Sequence, residues 1–515
     1  MGVVNIWRKK VGITLIALII TIIVLLILAG VALATLTGQG NIIGNAENVV
    51  GEYNNSVIEE QKLLNEIEKY LQGIGNNNTI EDNKAPEMNK SEWNGKVQSP
   101  MLLEGMTAVY WSKDGGVTAS TTEEGAEEIY SKIDSNGKAS STGTENPNFK
   151  WSNWYNYVAG NNSADTKTSR WANVVTDDGS YWVWIPRYKY KISEEPTEAG
   201  VNNAGKVDVE FIPTTEKMGS TRYTTGANSE GEILTTDSNG YIIHPAFENG
   251  SSTGKNNGYA NGEWDSELAG FWIAKYEMSM EDGSGNALNT DEVGGDVLIS
   301  DTVKMVSKPK VSSWRSINIG NSYTNCYNYD RNKESHLIKM SEWGAVAYLT
   351  HSQYGRNGNE VTINNSYTTS NVGELGSTTG NIYGVYDVNG GAWERVAAWD
   401  TLSTSENITS YGSSFASSGG TSTKYATAYR NGTGDYSGVL AKTVCKTGDA
   451  VRETYTNDDK GWFNDYLAVG CTSAPFFKRG GGNAGGDEAG VFASGNASGV
   501  MYANDSFRVV LTCEE

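Results

Sequence analysis

Residues able to do chemistry are sparse in this chain. Among 515 residues there are three His (His244, His336, His351) and four Cys (Cys326, Cys445, Cys471, Cys513). No two Cys form a C-x-x-C pair, so a zinc site or a redox dithiol has no spacing to stand on. Neither H-E-x-x-H nor G-x-S-x-G occurs, which leaves a His-based hydrolytic centre little material. The most unusual stretch lies near the C-terminus. Phe476-Phe477-Lys478-Arg479 and Ser506-Phe507-Arg508-Val509 enclose a segment of small side chains. From Arg479 to Asp505, 20 of 27 residues are Gly, Ala, Asn, Ser or Asp. Its first part has Asp487 and Glu488 as carboxylates and no base, nucleophile or phosphate loop. Small polar residues with Met501 and Tyr502 among them suit adaptable recognition better than proton transfer.

Composition narrows the classes. With 40 basic and 61 acidic residues the net charge is −21, which argues against a nucleic-acid ligand, since that needs a basic face. The length fits about two to four domains. Four Cys are too few for a disulfide scaffold, although one or two bridges are compatible with them.

The elements that must position any site read as follows. Arg8-Lys9-Lys10 precede Val11–Leu36, a run without charge and long enough to span a bilayer of roughly 30 Å. The flanking basic residues place the remainder outside the membrane; a cleaved secretory signal is the alternative. Val50, Val57, Leu64 and Leu71 recur every seven residues, as on an amphipathic stem helix. Residues 74–92 are turn and linker types. Beyond them, Met106–Trp111, Tyr181–Pro186 and Phe271–Tyr276 alternate aromatic and β-branched residues as strands do, and Ser341–Leu349 has helical spacing.

Lys9-Lys10-Val11-Gly12-Ile13-Thr14-Leu15 resembles the signal of type IV pilins and pseudopilins. The resemblance implies cleavage between Gly12 and Ile13 and pilin-like subunits as partners. Ala17 stands where that family usually has Glu, which counts against ordered pilus assembly. Further on, four segments in order resemble the formylglycine-generating enzyme (sulfatase-modifying factor) family: Phe271-Trp272-Ile273-Ala274-Lys275-Tyr276-Glu277, His336 to Trp343, Tyr386 to Glu394, and Arg479-Gly480-Gly481 with Ser506-Phe507-Arg508. The resemblance implies a C-type-lectin-like fold over 270–515, with 93–269 as its N-terminal part or an insertion. That family's enzymes hold copper through two Cys between the closing motifs. None lies between Arg479 and Phe507, so no copper and no enzyme activity are expected. In those enzymes the Tyr-Asp…Trp-Glu loop binds calcium. Carried over, this gives Asp387 and Glu394 side chains and Gly390 and Ala392 carbonyls as ligands. Cys471 and Cys513 flank the C-terminal segment, and a bridge between them would staple its ends.

The same arrangement resembles the variable proteins of diversity-generating retroelements, which concentrate change in this stretch. It implies ligand-binding positions at Asn483, Gly485, Gly486, Asp487, Ser494, Asn496, Ser498, Tyr502, Asn504 and Asp505. The expectation is therefore an α+β chain: leader 1–12, transmembrane segment 13–36, stem helix 37–73, linker 74–92, then the lectin-like ectodomain. Its expected role is an adhesin-like protein on the cell membrane or a pilus, binding an extracellular glycan or protein. A structural minor pilin and a formylglycine-generating-type oxidase are the alternatives.

Overall fold

The computed structural model describes residues 87–88, 90, 96–112, 127–160, 169–194, 204–217, 236–249, 264–367, 376–401, 406–416, 424–429, 444–457 and 459–512. The chain divides into Met1–Thr79 and Ile80–Glu515, and every described residue belongs to the second unit.

Two sheets carry the site. In chain order their strands are β1 (Met106–Trp111), β2 (Glu128–Tyr130), β3 (Asn173–Thr176), β4 (Tyr181–Pro186), β5 (Gly270–Ala274), β6 (His336–Leu337), β7 (Trp393–Asp400), β8 (Thr427–Tyr429), β9 (Phe476–Arg479), β10 (Ser494–Ala497), β11 (Asp505–Phe507) and β12 (Val509–Leu511). The larger sheet runs β6-β12-β5-β4-β3-β1-β2, so strands before and after residue 270 share one sheet. In the smaller sheet β7 is central: it pairs antiparallel with β9 and parallel with β8 and β11, and β10 closes the edge beyond β9.

The central strands are buried along nearly their whole length, which is why Tyr181–Ile185 and Phe271–Ala274 are apolar on both faces. Pro186, without an N–H, ends β4 opposite Gly270. A Cβ at Gly270 would lie 2.5 Å from the Ile185 carbonyl oxygen, so no larger residue fits this crossing.

Among the described residues nine tryptophans are fully buried, including Trp154, Trp184, Trp272, Trp314 and Trp343. Most of their indole N–H groups find acceptors, as buried indoles usually do: Trp272 donates to the Met101 carbonyl at 2.8 Å and Trp343 to that of Val491 at 2.7 Å, whereas Trp184 Nε1 is buried without a partner. Two helices complete the frame, α1 (Ile319–Tyr329) and α2 (Met340–His351). Asn318 caps α1 by accepting from the Asn321 amide at 2.9 Å. Glu342 closes the first turn of α2 by accepting from the Lys339 amide at 2.9 Å. Burial pushes the Glu342 carboxyl up, but the charges of His336 and Lys339 win and lower it.

The α+β expectation with a long leading helix is corrected here. Among the described residues strands outnumber helices, because their aromatic and β-branched runs pair with one another instead of standing alone. The longer of the two helices has 12 residues. No helix among the described residues is long and apolar enough to cross a membrane. The leader (1–12, with Gly12), the membrane span (13–36, with Ile13) and the stem (37–73) lie outside the described residues. The single-pass membrane localisation drawn from them is withdrawn.

Candidate ligand-binding surface

The four motif segments meet in the interior. Arg508, between β11 and β12, donates from Nε to Glu394 Oε2 at 2.9 Å and from Nη2 to Glu394 Oε1 at 2.5 Å. Its remaining N–H groups reach the carbonyls of Ala274 and Tyr386, each at 2.8 Å. One guanidinium thus joins β5, β7, the loop before β7 and the closing strand. Lys275 donates to Asn173 Oδ1 at 2.7 Å and to the Ile382 carbonyl at 2.6 Å. Arg479 donates to the carbonyls of Ala493 at 2.7 Å and Asp449 at 2.6 Å. All three cations are fully buried, and buried charge persists only when paired or hydrogen-bonded in this way.

Glu277 lies beside the Arg508–Glu394 pair and accepts from the Ala392 amide at 2.8 Å. Burial first, then the charges of Glu394 and Asp387, hold its carboxyl well above the usual range.

The residues proposed for calcium do not fit a cation as they stand. Both carboxylate oxygens of Glu394 are engaged by the Arg508 guanidinium, which already supplies the positive charge there. Asp387 Oδ1 accepts from Asn364 Nδ2 at 2.7 Å. Gly390 and Ala392 carry this loop, with Gly390 at φ +80° and its amide donating to the Gly480 carbonyl at 2.9 Å. Among the described residues, no group of three or more His, Cys, Asp or Glu is placed to hold a metal ion.

Cys326, Cys445 and Cys471 are free and buried, and burial pushes the thiols of Cys326 and Cys445 well up, away from the thiolate that a nucleophile needs. Cys513, and with it the expected staple to Cys471, lies outside the described residues. Each His serves the interior. His336 Nε2 meets Glu342 at 2.9 Å, His351 Nε2 meets the Gly205 carbonyl at 2.7 Å, and His244 Nδ1 accepts from the Ala246 amide at 3.2 Å.

Above this frame the C-terminal segment forms two loops. In the later one, the carbonyls of five residues accept from framework donors outside the segment. Gly499 accepts from the Ile319 amide at 3.0 Å, Tyr502 from the Ser316 amide at 3.0 Å and Asn504 from the Trp393 amide at 2.9 Å. Val500 accepts from Arg395 Nη2 at 2.5 Å, and Ala503 from Arg315 Nη1 at 2.6 Å. The side chains of Met501, Tyr502 and Asn504 meanwhile face solvent. One position is sterically fixed: Gly499 has φ +94°, and a Cβ there would lie 2.6 Å from the Phe476 ring.

The earlier loop turns at 486–488. It is held where the Asn483 amide donates to the Gly391 carbonyl at 2.8 Å and the Tyr466 amide to the Glu488 carbonyl at 3.0 Å. Gly486, at φ +55°, opens to empty space.

Of the expected binding residues, Gly485, Gly486, Asp487, Tyr502 and Asn504 are exposed, and Asn483, Asn496 and Ser498 are half-buried. Ser498 Oγ lies 3.3 Å from the Tyr502 hydroxyl, and Asn496 donates to the Val469 carbonyl at 2.9 Å. Ser494 and Asp505 are corrections, for both are fully buried. Ser494 sits in β10 opposite Arg479 and donates to the Ala468 carbonyl at 2.9 Å. Asp505 neutralises Arg395 at 3.1 Å and Lys478 at 3.3 Å.

Trp393, read in the sequence only as part of the Tyr386 to Glu394 motif, also belongs to this surface. It is half-buried between the two loops, with the Lys478 ammonium 4.7 Å from its ring centroid and the Tyr466 ring 6.4 Å away. Lys478 is the half-buried position in a strand otherwise buried.

No family model and no curated protein matches the chain, so the pilin and formylglycine-generating-enzyme resemblances stay resemblances. Among solved structures the chain is similar to Treponema denticola variable protein 1, at 14% identity, over 65% of this chain and 96% of that chain, with a TM-score of 0.19. At that TM-score the superposition bears on neither fold nor function.

Proposed function

We propose that this protein binds a ligand through the two C-terminal loops, with the frame setting loop shape and the exposed side chains choosing the ligand. The observation that carries this reading is the later loop's attachment. Five of its carbonyls are held by donors far away in the chain, and none of those bonds uses a side chain of residues 499–504. Backbone bonds are indifferent to side-chain identity, so Met501, Tyr502, Ala503 and Asn504 are free to vary while the loop keeps its form. Small polar residues with an exposed Tyr and Met are suited to adaptable contact. Asp487 and Glu488 on the earlier loop and Trp393 between the loops widen the surface.

The site has a binding role and not a catalytic one in this reading. Its carboxylates, Asp487 and Glu488, have no nucleophile beside them on the segment. The variable-protein resemblance adds that this segment is diversified at the DNA level. Sequencing the locus tests that part: an imperfect repeat of the codons for 479–505 beside a reverse transcriptase is expected, and its absence refutes diversification while leaving binding standing. Binding itself is tested by screening the full chain and its Tyr502→Ala and Asn504→Ala variants on glycan and peptide arrays. Ligands that both variants retain at full affinity refute the reading.

A further inference from the structure

Large apolar side chains exposed among the described residues are few, and five of the eight lie on two segments, 293–298 and 501–502. Val293, Val297 and Leu298 are 54%, 37% and 48% exposed, and Met501 and Tyr502 are 56% and 44% exposed. Three more, Met88, Val97 and Tyr327, lie on other segments. The 293–298 and 501–502 segments are far apart in sequence but fastened to one short stretch. Trp314 Nε1 donates to the Gly295 carbonyl at 2.7 Å. The Arg315 guanidinium bridges the two segments, donating to the Ala503 carbonyl at 2.6 Å and to the Asp291 carboxylate at 2.5 Å. The next amide, Ser316, donates to the Tyr502 carbonyl at 3.0 Å. Asp296 accepts from Asn318 and Asn321 at the start of α1, where the Ile319 amide holds Gly499. Both segments are therefore fastened to residues 314–316, with Arg315 bonded to each.

The rim of this patch is acidic. Residues 290–301 carry Asp291, Glu292, Asp296 and Asp301 and no Lys or Arg. Nearby Lys304 stands 4.0 Å from Asp301. Exposed aliphatic groups gathered at one place mark an interaction surface, and Met and Tyr are enriched at the cores of protein interfaces. Val and Leu offer nothing to the hydroxyls of a sugar, whereas an apolar or aromatic anchor gains by displacing water from them. An acidic rim favours a partner of opposite charge and draws it in at long range.

Building on the binding reading above, we propose that Val293, Val297 and Leu298 form a constant half of the same surface. Its ligand is a protein whose contact face presents an apolar or aromatic anchor ringed by Lys or Arg. The constant half supplies area and charge complementarity, and the display loop supplies choice among partners.

The probe is a library of random dodecapeptides displayed on phage, selected against the full chain, with a glycan array in parallel. Enriched peptides are expected to pair an aromatic or aliphatic residue with Lys or Arg, and to bind more weakly as salt is raised. Affinity is expected to drop at least about tenfold in Leu298→Ser and again in Tyr502→Ala. Both sites are exposed, so both variants are expected to keep the wild-type melting temperature. Peptides weakened by Tyr502→Ala but not by Leu298→Ser overturn this inference and leave the binding reading intact. Peptides weakened by Leu298→Ser alone overturn the joint surface, and peptides weakened by neither overturn both proposals. An empty peptide selection, or peptides without basic residues, overturns the inference. Glycans bound in that case and lost in Tyr502→Ala would show that the display loop binds sugar instead.

Discussion

Replacing Arg315 by Met separates a loop shaped by its frame from a loop shaped by its own side chains. Arg315 is buried, and its guanidinium holds the Ala503 carbonyl at 2.6 Å and Asp291 at 2.5 Å. A hydrogen bond from a charged donor contributes about 1.5–3 kcal/mol. The Asp291 side chain is half exposed, so its ion pair adds at most about 1 kcal/mol. Water can reach the freed Ala503 carbonyl, which favours the low end, about 2 kcal/mol in total. Amide hydrogen exchange reads this directly, because the Ser316, Ile319 and Trp393 amides are protected only while the loop carbonyls accept from them. A loss of about 2 kcal/mol accelerates exchange at Ser316 roughly thirtyfold. The triple variant Met501→Ala, Tyr502→Ala, Asn504→Ala removes three exposed side chains and none of the carbonyl bonds. Its exchange at these amides is expected to stay within about threefold of wild type, since exposed substitutions cost about 0.5 kcal/mol or less. If the triple variant speeds exchange as much as Arg315→Met does, the frame does not set the loop and the display reading collapses.

Three further outcomes follow from the interior. Arg508→Ala strands the buried Glu394 carboxylate and is expected to lower stability by about 3–5 kcal/mol in urea titration, because breaking a buried pair leaves an uncompensated charge; a loss under about 1 kcal/mol would contradict the buried pair. Burial lowers the His351 pKa to about 4, so its contribution is present above the unfolded value near 6.5 and is lost as pH falls toward 4. That shift corresponds to about 3 kcal/mol, so His351→Gln is expected to narrow its melting-temperature gap to wild type, or to overtake it, between pH 6.5 and pH 4; a gap that stays constant with pH assigns the acid sensitivity to other groups. Adding calcium or EDTA is expected to leave the melting temperature within about 1 °C, since a site holding ligand at 100 Kd would add about 2.7 kcal/mol; a calcium-dependent rise of several degrees would restore the site at Asp387 and Glu394.

Much of the frame was legible in the sequence where local pattern decides structure. Met106–Trp111, Tyr181–Pro186 and Gly270–Ala274 are strands, and Ser341–Leu349 falls within Met340–His351. Their apolar runs have one good way to be buried, and the cap at Glu342 is local. The motif segments also proved to be neighbours, joined at Arg508. What the sequence concealed depends on contacts between distant residues. Nothing near Glu394 announces that its partner is Arg508, so a carboxylate in a glycine loop read as a cation ligand. Trp393 read only as a motif residue, yet the glycines at 482 and 495 bring backbone close to its ring, where a Cβ would stand 3.1 Å from indole atoms. Ser494 and Asp505 were binding positions implied by the variable-protein resemblance, but strand pairing buries the first and two cations claim the second. The patch at Val293, Val297 and Leu298 gave no signal, because exposure is a property of the packed fold.

The instructions for the later loop are written elsewhere in the chain. Arg315, Ser316, Ile319, Trp393 and Arg395 dictate where residues 499–504 run, well over a hundred residues upstream in most cases. A peptide cut from 498–505 would keep the recognition letters and lose their spacing. Conversely, a new binding sequence written into 501–504 needs no rewritten flanks, because the spelling of the surface and the grammar that holds it are stored apart.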